Sequence, residues 1–373
     1  MNRSREILAV CMVIGFAVAT TAFRINPPTV STSKASVAGS LNPTAPMLAP
    51  RSGHSATLLP DGRVLIAGGM RRNQDFYKSA ELFDPATGKF QPTGEMNQRR
   101  VGHIAVLLAS GKVLVAGGWV GQGGTDSAEL YDPATGKFTS IAKMTTARGR
   151  PSATLLANGD VLIAGGEKQD NESFASAEIF HASTLTFQPT GSMHLARISH
   201  TATLLKDGRV LVAGGYASSV AAGADLYDPK SGTFTETGSM ASARCKHTSG
   251  LLPDGSVLIA GGSDSRGWDR MNKTEIYDPR TGKFTAGSPM NDKRFKLPDE
   301  AVPLTSGKLL VAGGSKEAEI FDPEDGKFVA VTGQMDERWH YMSETRLRDG
   351  SVLLAGGYPN NDQATAQTWT YRP

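Results

Sequence analysis

The chain has 373 residues, of which 39% are hydrophobic and 20% are charged, so it can bury a core and is not a disordered polymer. Its 39 lysines and arginines nearly balance 36 acidic residues, which excludes the dense basic surface that nucleic-acid binding requires. Glycine is abundant, with 42 residues, and aromatic residues make up only 7%, so tight turns are favoured over long helices.

The N-terminus has the pattern of an export signal. Arg3 and Arg5 precede an uncharged run at 7–23, and small residues near its end suit a signal peptidase. We predict a signal peptide over residues 1–22, followed by a flexible linker rich in Pro, Ser and Thr over 23–38. The alternative is an uncleaved N-terminal membrane anchor. Both readings predict an exported protein, periplasmic or extracellular.

An internal repeat occupies residues 39–373. A Gly-Gly pair behind an apolar run recurs seven times, about every 48 residues, at 68–69, 117–118, 165–166, 214–215, 261–262, 313–314 and 356–357. Each unit divides into four short strands separated by turn residues such as Asp61-Gly62 and Thr87-Gly88. Copies of one sheet stacked radially bury both faces of every sheet. We predict an all-β fold, a seven-bladed β-propeller with four antiparallel strands per blade.

The two chain ends are expected to share the last blade. The seventh unit ends near Tyr371 with only three strands, whereas residues 39–47 match the fourth strand of other units. We predict that this N-terminal strand pairs with the last blade, closing the ring and covering an open sheet edge.

The repeat resembles the kelch repeat in its Gly-Gly pair, its downstream Tyr/Phe-Asp-Pro and the Met that precedes the next unit. The repeat motif resembles that of the kelch domain of galactose oxidase and its relatives, with the pattern Met-x-x-x-Arg-x-x-His…Asp-Gly-x-Val-Leu-x-Ala-Gly-Gly. That resemblance implies a kelch-type propeller, and a copper site with histidine and tyrosine ligands and a cysteine bonded to one tyrosine.

The copper constellation is incomplete in this sequence. Four histidines recur at one register, His54, His103, His200 and His247, but the residues before them are Gly53, Gly102, Ser199 and Lys246. The Tyr-His pair of the oxidases is therefore missing, and Cys245 is the only cysteine apart from Cys11. We predict a scaffold role for the histidines and no metal or other cofactor.

Arginine and acidic residues also recur once per unit. The arginines are Arg51, Arg100, Arg148, Arg197, Arg244, Arg294 and Arg338, and six units carry an acid in the third strand, Glu81, Glu129, Glu178, Asp225, Glu275 and Glu319. One arginine and one acid per repeat predict structural ion pairs that join blades to one another. The alternative is a ring of cations that attracts an anionic ligand.

The loops after the Gly-Gly pairs vary in length and lie on the same face as the links between blades, so we predict the binding surface there. Candidate residues directly follow Gly-Gly pairs or lie where units six and seven depart from the repeat. The predicted ligand-binding residues are Trp119, Glu167, Tyr216, Arg294, Trp339, His340, Tyr341 and Tyr358.

The predicted function is an exported, monomeric kelch-type propeller that binds a protein or a glycan. Aromatic side chains anchor protein interfaces and offer apolar faces to sugars. No phosphate-binding loop, nucleophile elbow or zinc-protease helix is present in the sequence. The alternative is a carbohydrate-active enzyme resembling galactose oxidase or the kelch-type sialic-acid mutarotase, and the sequence leaves open whether the protein is an enzyme.

Overall fold

The computed structural model describes residues 38–168, 172–264, 269–359 and 363–373. The predicted signal peptide and nearly all of the predicted linker lie outside these residues. Within the described ranges every regular element is a β-strand. The same ranges hold no helix with the length and apolar character that a membrane span needs.

Seven four-stranded antiparallel sheets form the blades. The first strand, β1 (Ser40–Thr44), belongs to the last blade. Blades 1 to 3 consist of β2 (Ser55–Leu58), β3 (Val64–Ala67), β6 (Ala80–Asp84) and β7 (Lys89–Pro92); β8 (Ile104–Leu107), β9 (Val113–Ala116), β10 (Ala128–Asp132) and β11 (Lys137–Ser140); and β12 (Ser152–Leu155), β13 (Val161–Ala164), β14 (Ser176–His181) and β15 (Thr186–Ser192). A small hairpin, β4 (Met70–Arg72) and β5 (Asp75–Phe76), extends the loop between β3 and β6.

The remaining blades repeat the same order of strands. Blades 4 to 6 consist of β16 (Thr201–Leu204), β17 (Val210–Ala213), β18 (Ala224–Asp228) and β19 (Thr233–Glu236); β20 (Thr248–Leu251), β21 (Val257–Ala260), β22 (Thr274–Asp278) and β23 (Lys283–Ala286); and β24 (Val302–Pro303), β25 (Leu309–Val311), β26 (Glu319–Asp322) and β27 (Lys327–Ala330). Blade 7 consists of β28 (Ser343–Arg346), β29 (Val352–Ala355), β30 (Thr368–Arg372) and β1. The predicted seven-bladed fold is confirmed.

The core lies between neighbouring blades because the second strand of each blade is buried on both faces. In β3, Val64 and Ile66 pack against residues of blade 7, and Leu65 packs against residues of blade 2. Successive side chains of a strand point to opposite faces, so a continuous apolar run serves two neighbours at once. The apolar run before every Gly-Gly pair therefore encodes radial stacking.

The ring closes as the sequence predicts. Strand β1 pairs antiparallel with β30, from Ser40 opposite Arg372 to Thr44 opposite Thr368. Leu41 and Trp369 are buried in one apolar cluster that joins blades 6 and 7. The two ends of the propeller thus share one sheet.

Six of the recurring arginines pair with the predicted acids, but each pair connects a blade with its own entering link rather than with a neighbouring blade. Arg148 is representative: its Nε donates to Glu178 at 2.9 Å, and its Nη1 donates to the carbonyl of Gly165 at 2.8 Å. These pairs fasten the link that enters a blade to the third strand of that blade. The six N–O distances are 2.6–2.9 Å, for Arg51–Glu81, Arg100–Glu129, Arg148–Glu178, Arg197–Asp225, Arg244–Glu275 and Arg294–Glu319.

The seventh arginine breaks this pattern, and its assignment to the recurring arginine position is wrong. Arg338 is exposed, and Trp339 occupies the buried register. The Gly314 amide donates to the Trp339 carbonyl at 2.8 Å, as the Gly69 amide donates to Arg100 at 2.9 Å. The one extra residue of unit seven shifts Arg338 out of the register.

Candidate functional site

Seven equivalent residues surround the mouth of the central channel, one per blade, and we call them the inner ring. Each has a left-handed backbone, with φ of 51–59°. Backbone hydrogen bonds connect neighbours around the ring, for example from the Gly102 amide to Gly53 at 2.9 Å and from the Lys246 amide to Ser199 at 3.0 Å. The members are Gly53, Gly102, Arg150, Ser199, Lys246, Lys296 and Tyr341.

A second set of residues, the outer ring, directly follows the Gly-Gly pairs. Isolated β-bridges join most of them to the residue before the inner-ring member of the same blade, as between Glu167 and Gly149. The second glycine of each pair makes this approach possible, since a Cβ on Gly166 would lie 2.8 Å from the Gly149 carbonyl oxygen. The outer ring consists of Met70, Trp119, Glu167, Tyr216, Ser263, Ser315 and Tyr358.

The two rings form a bowl of about 540 Å³ over blades 1 to 5. Glu167 lies in its wall, 4% exposed, and accepts a hydrogen bond from the Trp119 indole at 3.2 Å. The Arg150 guanidinium, 43% exposed, lies 4.0 Å from the same Glu167 oxygen. Burial raises the pKa of Glu167, while Arg150 and the indole donor oppose that rise. Trp119, Glu167 and Arg150 thus present an aromatic plate, a carboxyl group and a cation side by side.

Aromatic side chains and a lysine complete the mouth near blades 6 and 7. The Lys296 ammonium donates to the Tyr358 hydroxyl at 2.8 Å and lies 5.9 Å from the centre of the Tyr341 ring. Arg150 approaches the same Tyr341 ring, at 5.6 Å. Tyr341 therefore lies between two cations, both within the range of cation–π attraction.

A second cavity, of about 400 Å³, lies in the channel below the inner ring. Asp299, Glu300 and Glu344 line it, and Arg150 contributes to both cavities. Desolvation in the channel, with Glu300 nearby, raises the pKa of Asp299 to about 6. Burial also raises the pKa of Glu344 to about 8. The lower cavity is therefore acidic, with carboxyl groups that hold protons unusually well.

The recurring histidines have the scaffold role that the sequence predicts. Each Nε2 contacts a hydroxyl of the preceding blade, for example His200 to Ser152 at 2.8 Å and His103 to Ser55 at 2.9 Å. Burial, reinforced by the neighbouring Arg197, lowers the pKa of His200 to about 3. These neutral imidazoles therefore connect blades.

The structure divides the predicted site residues into two groups. Trp119, Glu167 and Tyr216 line the bowl, Tyr341 lines the lower cavity, and Tyr358 contacts Tyr341 with ring centres 5.9 Å apart. All five belong to the inner or outer ring. On the variable-loop face, where the sequence predicts the binding surface, the structure thus places all five residues in the two rings.

Three other predicted site residues are buried. Arg294 is held by Glu319 in the ion pair described above, and Trp339 packs against Trp369 with ring centres 6.1 Å apart. His340 is 1% exposed, with its ring between Phe295 and Tyr358. Arg294 and Trp339 therefore belong to the core and leave the candidate site, and His340 supports Tyr358 from below.

The ligand-binding residues predicted from the sequence do not include three cations of the inner ring, Arg150, Lys246 and Lys296. Their signal is positional, because each occupies the register that precedes the histidine position of the repeat. Pro151 takes the histidine position after Arg150, and Leu297 follows Lys296. The register could have been recognised as a ring once these residues were aligned with Gly53 and Gly102.

The donor set at the mouth does not fit the copper site that the resemblance implies. Tyr341 belongs to the inner ring, but Met342 follows it where a histidine ligand would be required. The Cys245 sulfur is buried 3.4 Å from the Ser263 hydroxyl. In the described part of the chain, no three His, Cys, Asp or Glu side chains are grouped so that they could hold a metal ion.

Comparisons with known proteins agree with this architecture. The Kelch motif family model matches residues 102–145 and 244–291. No curated protein matches the chain in sequence. Among solved structures, a fungal alcohol oxidase of the AA5 family, in complex with copper, is similar in fold, with a TM-score of 0.73 and 17% identity over 90% of this chain and 76% of the oxidase. The motif matches and the seven-bladed ring together identify the chain as a β-propeller that contains kelch motifs, with a fold similar to that of the AA5 alcohol oxidase.

Proposed function

We propose that this propeller is an exported binding module whose ligand, a glycan, is held in the bowl at the channel mouth. The observation that carries the proposal is the grouping of Trp119, Glu167 and Arg150 around one concave surface. An aromatic face can cover the apolar side of a sugar ring, while carboxylate and guanidinium groups bond its hydroxyls. A bowl of about 540 Å³ suits a few sugar units better than a flat protein epitope.

The proposal is tested with a glycan array followed by calorimetric titration of the best ligand. Trp119→Ala should weaken binding by at least about tenfold because the aromatic plate is lost. Trp119→Phe keeps a plate without the indole donor and should retain most of the affinity. Absence of binding to any glycan, or affinity unaltered in Trp119→Ala, would contradict the proposal. Binding only to a protein ligand would do so as well.

A second candidate, sugar isomerisation, is supported by the acidic lower cavity. A carboxyl group with a pKa of about 6, such as Asp299, is suited to general acid–base catalysis near neutral pH. The assay is the ring-opening or anomer exchange of free sugars, followed by NMR with wild type and Asp299→Asn. Exchange that depends on Asp299 would establish catalysis, and exchange at the uncatalysed rate would exclude it.

Export belongs to the same proposal, because the predicted signal precedes the propeller. N-terminal sequencing of the protein from the periplasm or medium should begin close to residue 23. Recovery from the membrane with residues 1–22 attached would favour the anchor alternative, and recovery from the cytoplasm would contradict export.

A further inference from the structure

We infer that the mouth selects acidic glycans, with a sugar carboxylate placed against Arg150 and Lys246 and with Lys296 adding positive charge. This inference rests on the proposed function and specifies its ligand class. It starts from the inner ring, where three of the seven positions carry cations and the other four carry none.

The ring geometry does not require these cations. Gly53 and Gly102 occupy equivalent positions with the same left-handed backbone, and glycine adopts that conformation without steric cost. Placing a lysine or arginine there costs about 1–2 kcal/mol of backbone energy per residue. Strained residues of this kind are concentrated at ligand-binding sites. The side chains of Arg150, Lys246 and Lys296 are therefore better explained by a ligand than by the scaffold.

Lys246 gives the clearest case. Its side chain is partly buried and lines the bowl. It makes no side-chain hydrogen bond or ion pair with any residue that the structure describes, whereas Arg150 is close to Glu167 and Lys296 bonds Tyr358. The Lys246 charge opposes part of the rise that burial causes in the pKa of Glu167, but the two groups form no ion pair, so the ammonium group is positioned to receive a carboxylate from a ligand.

Positive charge continues along the rim beyond the inner ring. The Arg270 guanidinium lies 5.1 Å from the centre of the Phe295 ring, and burial together with the charge of Arg338 lowers the pKa of Arg270. Among the carboxyl groups that line the two cavities, Glu167 is buried in the bowl wall, and Asp299, Glu300 and Glu344 line the lower cavity. Among the described residues, the charged lining of the bowl therefore consists of two cations, Arg150 and Lys246, and the single carboxyl group of Glu167.

The chemistry of the cations indicates a carboxylate. The exposed Arg150 guanidinium can donate two parallel hydrogen bonds to a planar carboxylate, and Lys246 supplies a point charge beside it. A sulfate ester carries the same charge with another shape, so the two anions can be separated by experiment. The uronic acid unit of an acidic polysaccharide presents such a carboxylate together with hydroxyls and an apolar sugar face, which match Glu167 and Trp119.

The experiment compares three probes by calorimetric titration: galacturonate oligosaccharides, their neutral methyl esters and a sulfated galactan oligosaccharide. We expect the galacturonate to bind at least about tenfold more tightly than its methyl ester, and its affinity to fall as salt rises. The sulfated probe should bind more weakly than the galacturonate. Equal affinity for the galacturonate and its methyl ester would overturn the inference while leaving glycan binding intact. Tighter binding of the sulfated probe would overturn the carboxylate assignment.

Variants locate the effect. Lys246→Gln should lose about tenfold in affinity for the galacturonate and much less for the methyl ester, and Lys246→Arg should restore most of the loss. The matched control is Lys327→Gln, which removes an exposed lysine of β27, 70% exposed, away from the mouth. Equal losses in Lys246→Gln and Lys327→Gln would show a non-specific charge effect and overturn the inference. A failure of all three probes to bind the wild type would instead refute the proposed function itself.

Discussion

At the scale of single residues, the inner ring holds five non-glycine side chains in a backbone conformation that suits glycine. Arg150, Ser199, Lys246, Lys296 and Tyr341 have φ of 51–55°. Around them the buried ion pairs and the interblade histidine bonds connect the segments of the propeller, so they fix the scaffold. Substitutions in the inner ring can therefore alter the site without altering the contacts that hold the scaffold.

Lys246→Gly tests this separation through stability. Removing the side chain relieves about 1–2 kcal/mol of left-handed strain and adds about 0.5–1 kcal/mol of unfolded-chain entropy. We expect the free energy of unfolding in urea to stay equal or rise by up to about 1.5 kcal/mol. The control Lys327→Gly, in the regular strand β27, should lose up to about 1 kcal/mol. A larger loss in Lys246→Gly than in the control would mean that Lys246 stabilises the fold.

Glu344 makes stability depend on pH. One of its oxygens, Oε1, is buried without a hydrogen-bond partner among the described residues. Because the folded-state pKa is raised from 4.5 to about 8, the folded protein holds a proton that the unfolded chain releases near pH 4.5. This contribution to stability is fully present below pH 4.5 and is lost as the pH rises towards 8.

Glu344→Gln should therefore melt close to wild type at pH 4.5 and above it at pH 9, measured by calorimetry at both values. The control Glu95→Gln changes an exposed carboxyl group and should show no such divergence. A Glu344→Gln variant that melts below wild type at pH 9 would contradict the assigned shift.

At the scale of the elements, the site depends on contacts between the loop of one blade and the link of the next. The loop after β9 carries Trp119, and the link before β12 carries Gly149. A Cβ on Gly149 would overlap the Trp119 indole nitrogen, so glycine lets the indole lie over this link and reach Glu167. From the sequence alone, the lack of a side chain at Gly149 could not be recognised as necessary for the site.

Gly149→Ala should displace the indole and weaken glycan binding by about tenfold or more while the protein remains folded. Its own backbone does not require glycine, because its φ is not positive. The matched control is Gly123→Ala in the loop after β9, which carries Trp119. A Cβ on Gly123 would have no neighbour within 4 Å. Titration of both variants, with circular dichroism as the check on folding, gives the result. Equal affinities of Gly149→Ala and Gly123→Ala would show that the loop–link contact does not contribute to glycan binding.

At the scale of the whole molecule, ring closure by β1 holds the first and last blades together. A chain that begins at residue 48 lacks β1 and exposes the edge of β30, which then can template aggregation. Calorimetry should show a melting temperature lower by more than about 10 °C than that of a chain beginning at residue 38. A difference within a degree or two would refute closure as a source of stability.

The sequence was sufficient for the fold because the repeat encodes it redundantly. Every apolar run, turn and Gly-Gly pair recurs seven times, so a single irregular unit could not obscure the ring. The site was predicted only in part, because it depends on what differs between the units. Because unit seven has one extra residue, Trp339 and not Arg338 occupies the recurring buried position. The longer unit six places Asp299 and Glu300 in the channel. Such shifts of register become visible only when the blades are arranged around the axis.

Hydrogen–deuterium exchange with and without a galacturonate oligosaccharide tests most directly whether the channel mouth is the working site. We expect slower exchange in the peptides that contain Arg150, Lys246 and Lys296, and unchanged exchange at the turns on the opposite face, such as Asp61-Gly62. Protection confined to that opposite face or to the outer strands, with the inner ring unaffected, would contradict a working site at the channel mouth.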